Sequence, residues 1–200
     1  MPSDFSSLNP SGLNYLSSHH VPSNHAPSDH VIQLLQALNN DADIAALSDV
    51  LIDCVDGGAS VSFMQPLSRA KAEAFWHGVA ASVARQERLL LVARDTSGMI
   101  VGTVQAVLSQ PENQPHRGDI SKLLVHRRAR AHGLGAALMQ AAEQAARAAG
   151  KTLLVLDTAT GGGAEALYER LGWQLCGRIP DYALWPQGGL CSTTIYSKSI

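Results

Sequence analysis

The chain has 200 residues and a mass of 21.2 kDa; 46% of the residues are hydrophobic, 16% are charged and the net charge is −2. This suits one core-forming domain with an appendage and excludes global disorder. A mildly acidic chain argues against a dedicated nucleic-acid binder, and no apolar run approaches the ~18 residues that a membrane-crossing helix needs.

The charge is uneven. Seven acids, Asp4 to Asp56, precede the first basic residue, Arg69, and 15 basic against 10 acidic residues follow. A start without Lys or Arg speaks against a secretory or transit leader. Cys54, Cys176 and Cys191 are odd in number and far apart, which suggests reduced thiols and a cytoplasmic location rather than a disulfide frame.

Residues 1–30 form a distinct segment in which Ser, Pro, Asn and His fill 19 of 30 positions. It is expected to be a disordered tail, since it cannot bury enough surface to offset its ordering. His19, His20, His25 and His30 lack Cys or carboxylate partners at ligand spacing, so no metal site is expected. The globular domain is expected over 31–200.

Val31–Ala37 reads as a strand. Asn39 or Asn40 is placed to cap a helix whose apolar positions Ile44, Leu47, Leu51 and Cys54 recur at helical spacing, ending at Gly57-Gly58. The loop GGASVSFM, Pro66 and a helical stretch to about Gln86 follow. Leu89–Arg94 and Met99–Leu108 are apolar strands joined by a turn at Asp95–Gly98, and Pro111–Gly118 is a polar loop. Further on come a strand at Asp119–His126, a helix at Gly133–Ala149, a buried strand at Thr152–Asp157, a short helix at Ala164–Leu171, and strands at Trp173–Gly177 and Thr193–Lys198. This β-α-β-α-β run implies parallel pairing somewhere in a mixed sheet.

The turn between Val125 and Gly133 carries the chemistry. From His116 to His132 there are five Lys or Arg residues and one acid. Arg127, Arg128 and Arg130 crowd the bend, while Gly133 and Gly135 remove side chains where a helix begins. Unpaired N–H groups and the helix dipole there make an anion cradle. Three ligands compete for it. A dinucleotide fits Gly133-x-Gly135 with Asp157 22 residues further on, but Leu138 stands at the third glycine position and the turn is long. A P-loop is dropped for want of Gly-Lys-Ser/Thr. The third is coenzyme A, with its pyrophosphate on the cradle.

Arg130-x-x-Gly133-x-Gly135 after an apolar strand resembles the signature of the GCN5-related N-acetyltransferases (GNAT). Ala164-Glu-Ala-Leu-Tyr168-Glu-Arg-Leu-Gly172-Trp173 resembles their second motif. Within the superfamily, GGASVSFM, Asp119–Val125, Leu156-Asp157-Thr158, the Tyr168 helix and TTIYSK are similar to the tabtoxin-resistance acetyltransferases, over roughly 31–198. The resemblance implies an α/β (α+β) fold: a mixed, mostly antiparallel sheet splayed between two central parallel strands and flanked by helices. It implies acetyl-CoA held by Leu124, Val125, Arg127, Arg130, Ala131, His132, Gly133, Leu134, Gly135 and Ala136. It also implies direct transfer of the acetyl group to a small-molecule amine, possible acceptors including an amino-acid-like toxin such as tabtoxinine-β-lactam, another amino acid or a peptide amine. A non-catalytic CoA sensor is the reading outside enzymes. The expected unit is a monomer or homodimer, with no nucleic-acid or membrane partner.

The chemistry asks for an acceptor of the amine proton, for which Asp119 and Asp157 are the candidates. It asks for an acid at the departing thiolate, which the family pattern places at Tyr168, and for an N–H near Leu124 or Val125 facing the oxyanion. One departure stands out: where the family often has an Asn seven residues before this Tyr, the chain has Gly161, inside Gly161-Gly-Gly163. Cys176 and Cys191 lack a His partner and are read as filler. Trp76, Trp173 and Trp185 are read as packing, and Asp181, Tyr182 and GGASVSFM as candidate walls of the amine pocket.

Overall fold

The computed structural model describes residues 30–200. The expected tail, with His19, His20 and His25, lies outside the described residues apart from His30. The elements in chain order are β1 (Val31–Leu35), α1 (Asp41–Asp56), α2 (Arg69–Ala84), β2 (Arg88–Arg94), β3 (Ile100–Val107), β4 (Arg117–Val125), a 3-10 turn (Arg127–Ala129), α3 (Leu134–Ala148), β5 (Leu153–Ala159), α4 (Ala164–Arg170), β6 (Gln174–Leu184) and β7 (Leu190–Ser199). The strands form one seven-stranded sheet in the order β1-β2-β3-β4-β5-β7-β6. Among the described residues only β4 and β5 run parallel; every other pair is antiparallel. This is the expected mixed sheet, and it excludes a doubly wound dinucleotide fold, which needs consecutive parallel pairs.

Local chemistry explains the element ends. The Asn40 side chain accepts from Ala42 N at the start of α1, and Ser68 accepts from Lys71 N at the start of α2. Asp95 Oδ1 accepts from the amides of Ser97 and Met99, which closes the β2–β3 hairpin. The strand expected at Trp173–Gly177 is longer, because β6 continues to Leu184 along β7, across shifts of register. As an edge strand with alternation on neither face, β6 carries no periodic signal in its second half.

Alternation along the central strands fills both faces of the sheet. Leu90, Val92, Ile100 and Leu124 join α1 and α2 in one core around Trp76, Leu47 and Leu51. Leu91, Ala93, Val101, Val104, Ile120, Leu154 and Leu156 join α3 and α4 in the other, around Leu138, Met139, Tyr168 and Tyr196. The second core has a polar clasp. The buried Glu143 of α3 accepts from Trp173 Nε1 at 2.9 Å and from Lys198 Nζ at 2.7 Å. Lys198 also donates to the Leu171 carbonyl, so α3, the end of α4 and β7 are tied at one point. No helix among the described residues is long and apolar enough to cross a membrane.

Candidate active site

The parallel strands pair over three steps only, Arg117↔Leu153, Gly118↔Leu154 and Asp119↔Val155. Beyond them β4 follows β3 and β5 follows β7, and the sheet opens. The inner edge of β4 from Ile120 to Val125 therefore has no strand partner, and its N–H and C=O groups face a gap. A cavity of about 700 Å³ fills that gap. Its walls are the inner edges of β4 and β5, the start of α3, the Gly162–Tyr168 segment and the loop after α1.

Near the open end of β4 lies the turn expected to cradle an anion. Gly133 caps α3 in the left-handed region at φ 73°, with no side-chain cap, and Ala131 is left-handed at φ 70°. The first backbone bond in α3 runs from Ala137 N to Gly133 O, leaving the preceding amides of the turn to a ligand. A Cβ on Gly133 would meet no atom within 4 Å; it would project into open space. Arg130 is fixed by Nε donating to the Val125 carbonyl at 3.0 Å, and its guanidinium also reaches Cys54 Sγ at 3.8 Å. The buried Cys54 thiol is raised by desolvation, which Arg130 only partly opposes. The open glycine, the left-handed bend and the fixed guanidinium fit a diphosphate at the turn, and the partnerless β4 edge fits an extended arm beside it.

Across the gap stands Tyr168 on α4, packed against Trp173 and Tyr196 with ring centroids at 6.2 and 5.8 Å. Its hydroxyl has no hydrogen-bond partner among the described residues. Burial, then the negative charge of Asp157 and the neighbouring Tyr196, push its pKa up to about 12, so the phenol keeps its proton at neutral pH. Leu154 and Leu156 face α3, so Asp157 points to the opposite face, toward α1 and α2. It is exposed, lines the cavity, and accepts from Thr193 Oγ1 at 3.1 Å.

The sequence-derived candidates separate. Leu124, Val125, Arg130, Ala131, Gly133, Leu134, Gly135, Ala136, Asp157 and Tyr168 share the cavity. His132, Arg127 and Asp119 do not line it. Arg127 turns the other way: its amide and Nε donate to Asp53 at 2.8 and 2.9 Å, beside a smaller cavity of about 290 Å³. Asp119 lies at the closed end of the split, paired with Arg117 and bonded by Gln110 Nε2 at 3.0 Å. Of the residues considered for the amine pocket, Gly57–Ser62 line the cavity and Asp181 and Tyr182, on β6, do not; Trp185, read from the sequence as packing, lines it as well. The Gly161 turn is held by its amide donating to Glu165 Oε2 at 2.7 Å.

Lys122 is the residue that pattern reading missed. Thr103 pairs with Leu124 and Gln105 with Ser121, so Lys122 and Leu123 together oppose Val104 in a bulge, and Lys122 sits at φ 53°. Its ammonium donates to Ser62 Oγ at 3.1 Å. The available signal was a lysine inside the apolar run Ile120–Val125.

A sheet open between β4 and β5, with a glycine-capped, arginine-flanked turn at one lip and a protonated phenol across the gap, fits a long, diphosphate-bearing ligand. A model of the Acetyltransferase (GNAT) family matches residues 58–173, more than half of the chain, and the chain belongs to that family. It is 35% identical over 117 residues, 58% of this chain and 67% of the relative, to an uncharacterized N-acetyltransferase "in hisH-hisA intergenic region" of Azospirillum brasilense. Among solved structures, a GCN5-related N-acetyltransferase from Kribbella flavida matches with a TM-score of 0.72 at 21% identity, over 88% of this chain and all (100%) of that one. A GNAT superfamily phosphinothricin acetyltransferase from Sinorhizobium meliloti, in complex with AcCoA, matches at 0.70 and 18% identity over 86% and 89%. These two likenesses concern the fold.

Proposed function

We propose that this protein is an N-acetyltransferase that moves the acetyl group of acetyl-CoA directly to the primary amine of a small molecule. The observation that carries the proposal is the pairing of an open, left-handed glycine turn at Ala131–Ala136 with the protonated hydroxyl of Tyr168, unpartnered among the described residues, across one split.

When bound, acetyl-CoA supplies a thioester whose carbonyl an amine attacks. The amides at the start of α3 and the Arg130 guanidinium hold the diphosphate. The unpaired β4 edge aligns the arm that follows, and an N–H near Leu124 or Val125 donates to the carbonyl oxygen as negative charge grows there. Tyr168 gives its proton to the departing sulfur. Asp157 receives the acceptor's ammonium group and takes its proton, directly or through water. Arg117 and Gln110 already occupy the Asp119 carboxylate, so its part is to hold the closed end of the split. Arg127 holds the bend through Asp53 and leaves the anion to the amides and Arg130.

The acceptor is a small amine. An amino-acid-like toxin or antibiotic such as tabtoxinine-β-lactam is the class to which the sequence resemblance points, and the phosphinothricin acetyltransferase among the structural relatives is compatible with it. Acetylation removes the positive charge of such a molecule.

Release of free CoA thiol with a panel of amines tests the proposal. Turnover on at least one amine is expected, and Tyr168→Phe should lower kcat by about 10²-fold with the KM for acetyl-CoA unchanged. Binding of acetyl-CoA without turnover on any amine would favour a CoA sensor. An unchanged rate in Tyr168→Phe would remove the phenol from the acid role.

A further inference from the structure

The acceptor half of the split holds two opposite charges that do not meet. Lys122 and Asp157 lie on the α1/α2 side of the sheet, and both line the cavity. The negative charge of Asp157 favours the ammonium, yet the two form no ion pair. Each is held back by another partner. Lys122 donates to Ser62 Oγ and stands 5.9 Å from the centre of the Phe75 ring. Asp157 accepts from Thr193.

Lys122 has no carboxylate partner among the described residues, and two of its three N–H donors are unclaimed. A half-buried ammonium is normally paired, because desolvation without a counter-charge is costly. Burial does draw its pKa below the ordinary lysine value; Asp157 opposes that shift and Arg88 adds to it. Arg88, the other charged group acting on Lys122, is a further cation and is bonded to the neutral Gln105. The left-handed bulge commits the β4 backbone to presenting this cation at the gap. The anion cradle is elsewhere, at the start of α3 and against the opposite core.

We propose that Lys122 is the specificity residue of the acceptor site: its ammonium binds a carboxylate of the acceptor while Asp157 holds the acceptor's ammonium, so that the enzyme selects zwitterionic, amino-acid-like amines over equal amines without an acid group. This rests on the acetyl transfer proposed above. A zwitterion satisfies both separated charges at once, whereas a simple amine leaves Lys122 unpaired and desolvated.

The test uses the full chain with acetyl-CoA and the twenty common amino acids, each beside its carboxamide and its decarboxylated amine. For every acceptor that turns over, kcat/KM should favour the free acid by about 10²-fold or more. Lys122→Met should abolish that preference through the acceptor KM, leave the KM for acetyl-CoA unchanged and keep turnover on the carboxamide. Lys122→Arg should restore part of the preference. The carboxamide rate also reports whether Lys122→Met has folded; if that variant is inactive on everything, the ratio in Lys122→Arg and in wild type decides. Equal rates on acid and carboxamide in wild type, or an undiminished preference in Lys122→Met, would overturn the role of Lys122 and leave acetyl transfer standing. Acetyl-CoA binding with no acceptor turned over would overturn both.

Discussion

Gly133 offers the sharpest test of the cradle, because the same helix carries its own control. Gly133 stands before α3 at φ 73° and Gly150 after it at φ 82°; a Cβ at either meets nothing within 4 Å. Left-handed backbone costs an L-residue about 1–2 kcal/mol, so alanine at either end should destabilise by that amount. For a chain of this size that is a fall of about 2–8 °C in Tm. The two sites share left-handed backbone and open space; they differ in the helix end they flank and in what the added carbon faces. At Gly133 it enters the space beside the first-turn amides; at Gly150 it faces solvent beyond the far end. If one charge-assisted bond from those amides to a diphosphate is blocked, about 1.5–3 kcal/mol of binding is lost, equivalent to roughly 10- to 150-fold in Kd. Gly133→Val, with a branched side chain, should reach the upper end. Calorimetric titration with acetyl-CoA, next to thermal melts, separates the two effects. Gly150→Ala should lower Tm alone; Gly133→Ala and Gly133→Val should lower Tm and weaken binding. Equal acetyl-CoA affinity in Gly133→Val and Gly150→Ala would refute the placement of the diphosphate at this turn.

Three further outcomes follow from individual groups. Burial first, then Asp157 and Tyr196, raise Tyr168 to about 12, so its proton is in place at every ordinary assay pH. kcat at saturating substrates should therefore show no alkaline fall from this group below about pH 11, and a tyrosine ionising near about pH 9 by ultraviolet difference titration, lost in Tyr168→Phe, would contradict that environment. Burial alone would raise Asp53, but the bonds from the Arg127 amide and guanidinium, with the charges of His126 and Arg127, hold it below the ordinary carboxyl value. A depressed folded pKa contributes stability that is complete above the unfolded value of ~4 and is lost as pH falls through the folded one. The Tm gap between wild type and Asp53→Asn should be constant above about pH 5 and narrow below about pH 4; a gap that widened on acidification would reverse the sign. Glu143→Ala leaves Trp173 Nε1 and Lys198 Nζ without their buried acceptor, a loss of about 3–5 kcal/mol by denaturant unfolding. A change under about 1 kcal/mol would show that the clasp is replaceable by water.

Much of this molecule is written in short stretches of chain. Asn40 caps α1, the Asp95–Gly98 turn joins β2 to β3, and an arginine-rich bend precedes a helix that opens on glycine; each depends on residues a few positions apart. Hydrophobic period, cap chemistry and the sign of φ are local properties, so the order of strands and helices, the glycine-capped turn before α3 and the placing of Tyr168 after a buried strand were all legible without coordinates. Partners distant in sequence were not. Asp119 and Asp157 look alike as strand acids, yet the paired sheet engages one with Arg117 and Gln110 at the closed end and leaves the other facing the cavity. Arg127 reads as a cradle residue until α1 brings Asp53, 74 positions earlier, against its amide. Lys122 acquires meaning only when a bulge turns it toward a loop 60 residues upstream. The tertiary structure decided these because the environment of a charge is set by whatever the packed sheet brings beside it, and a window along the chain contains none of those neighbours.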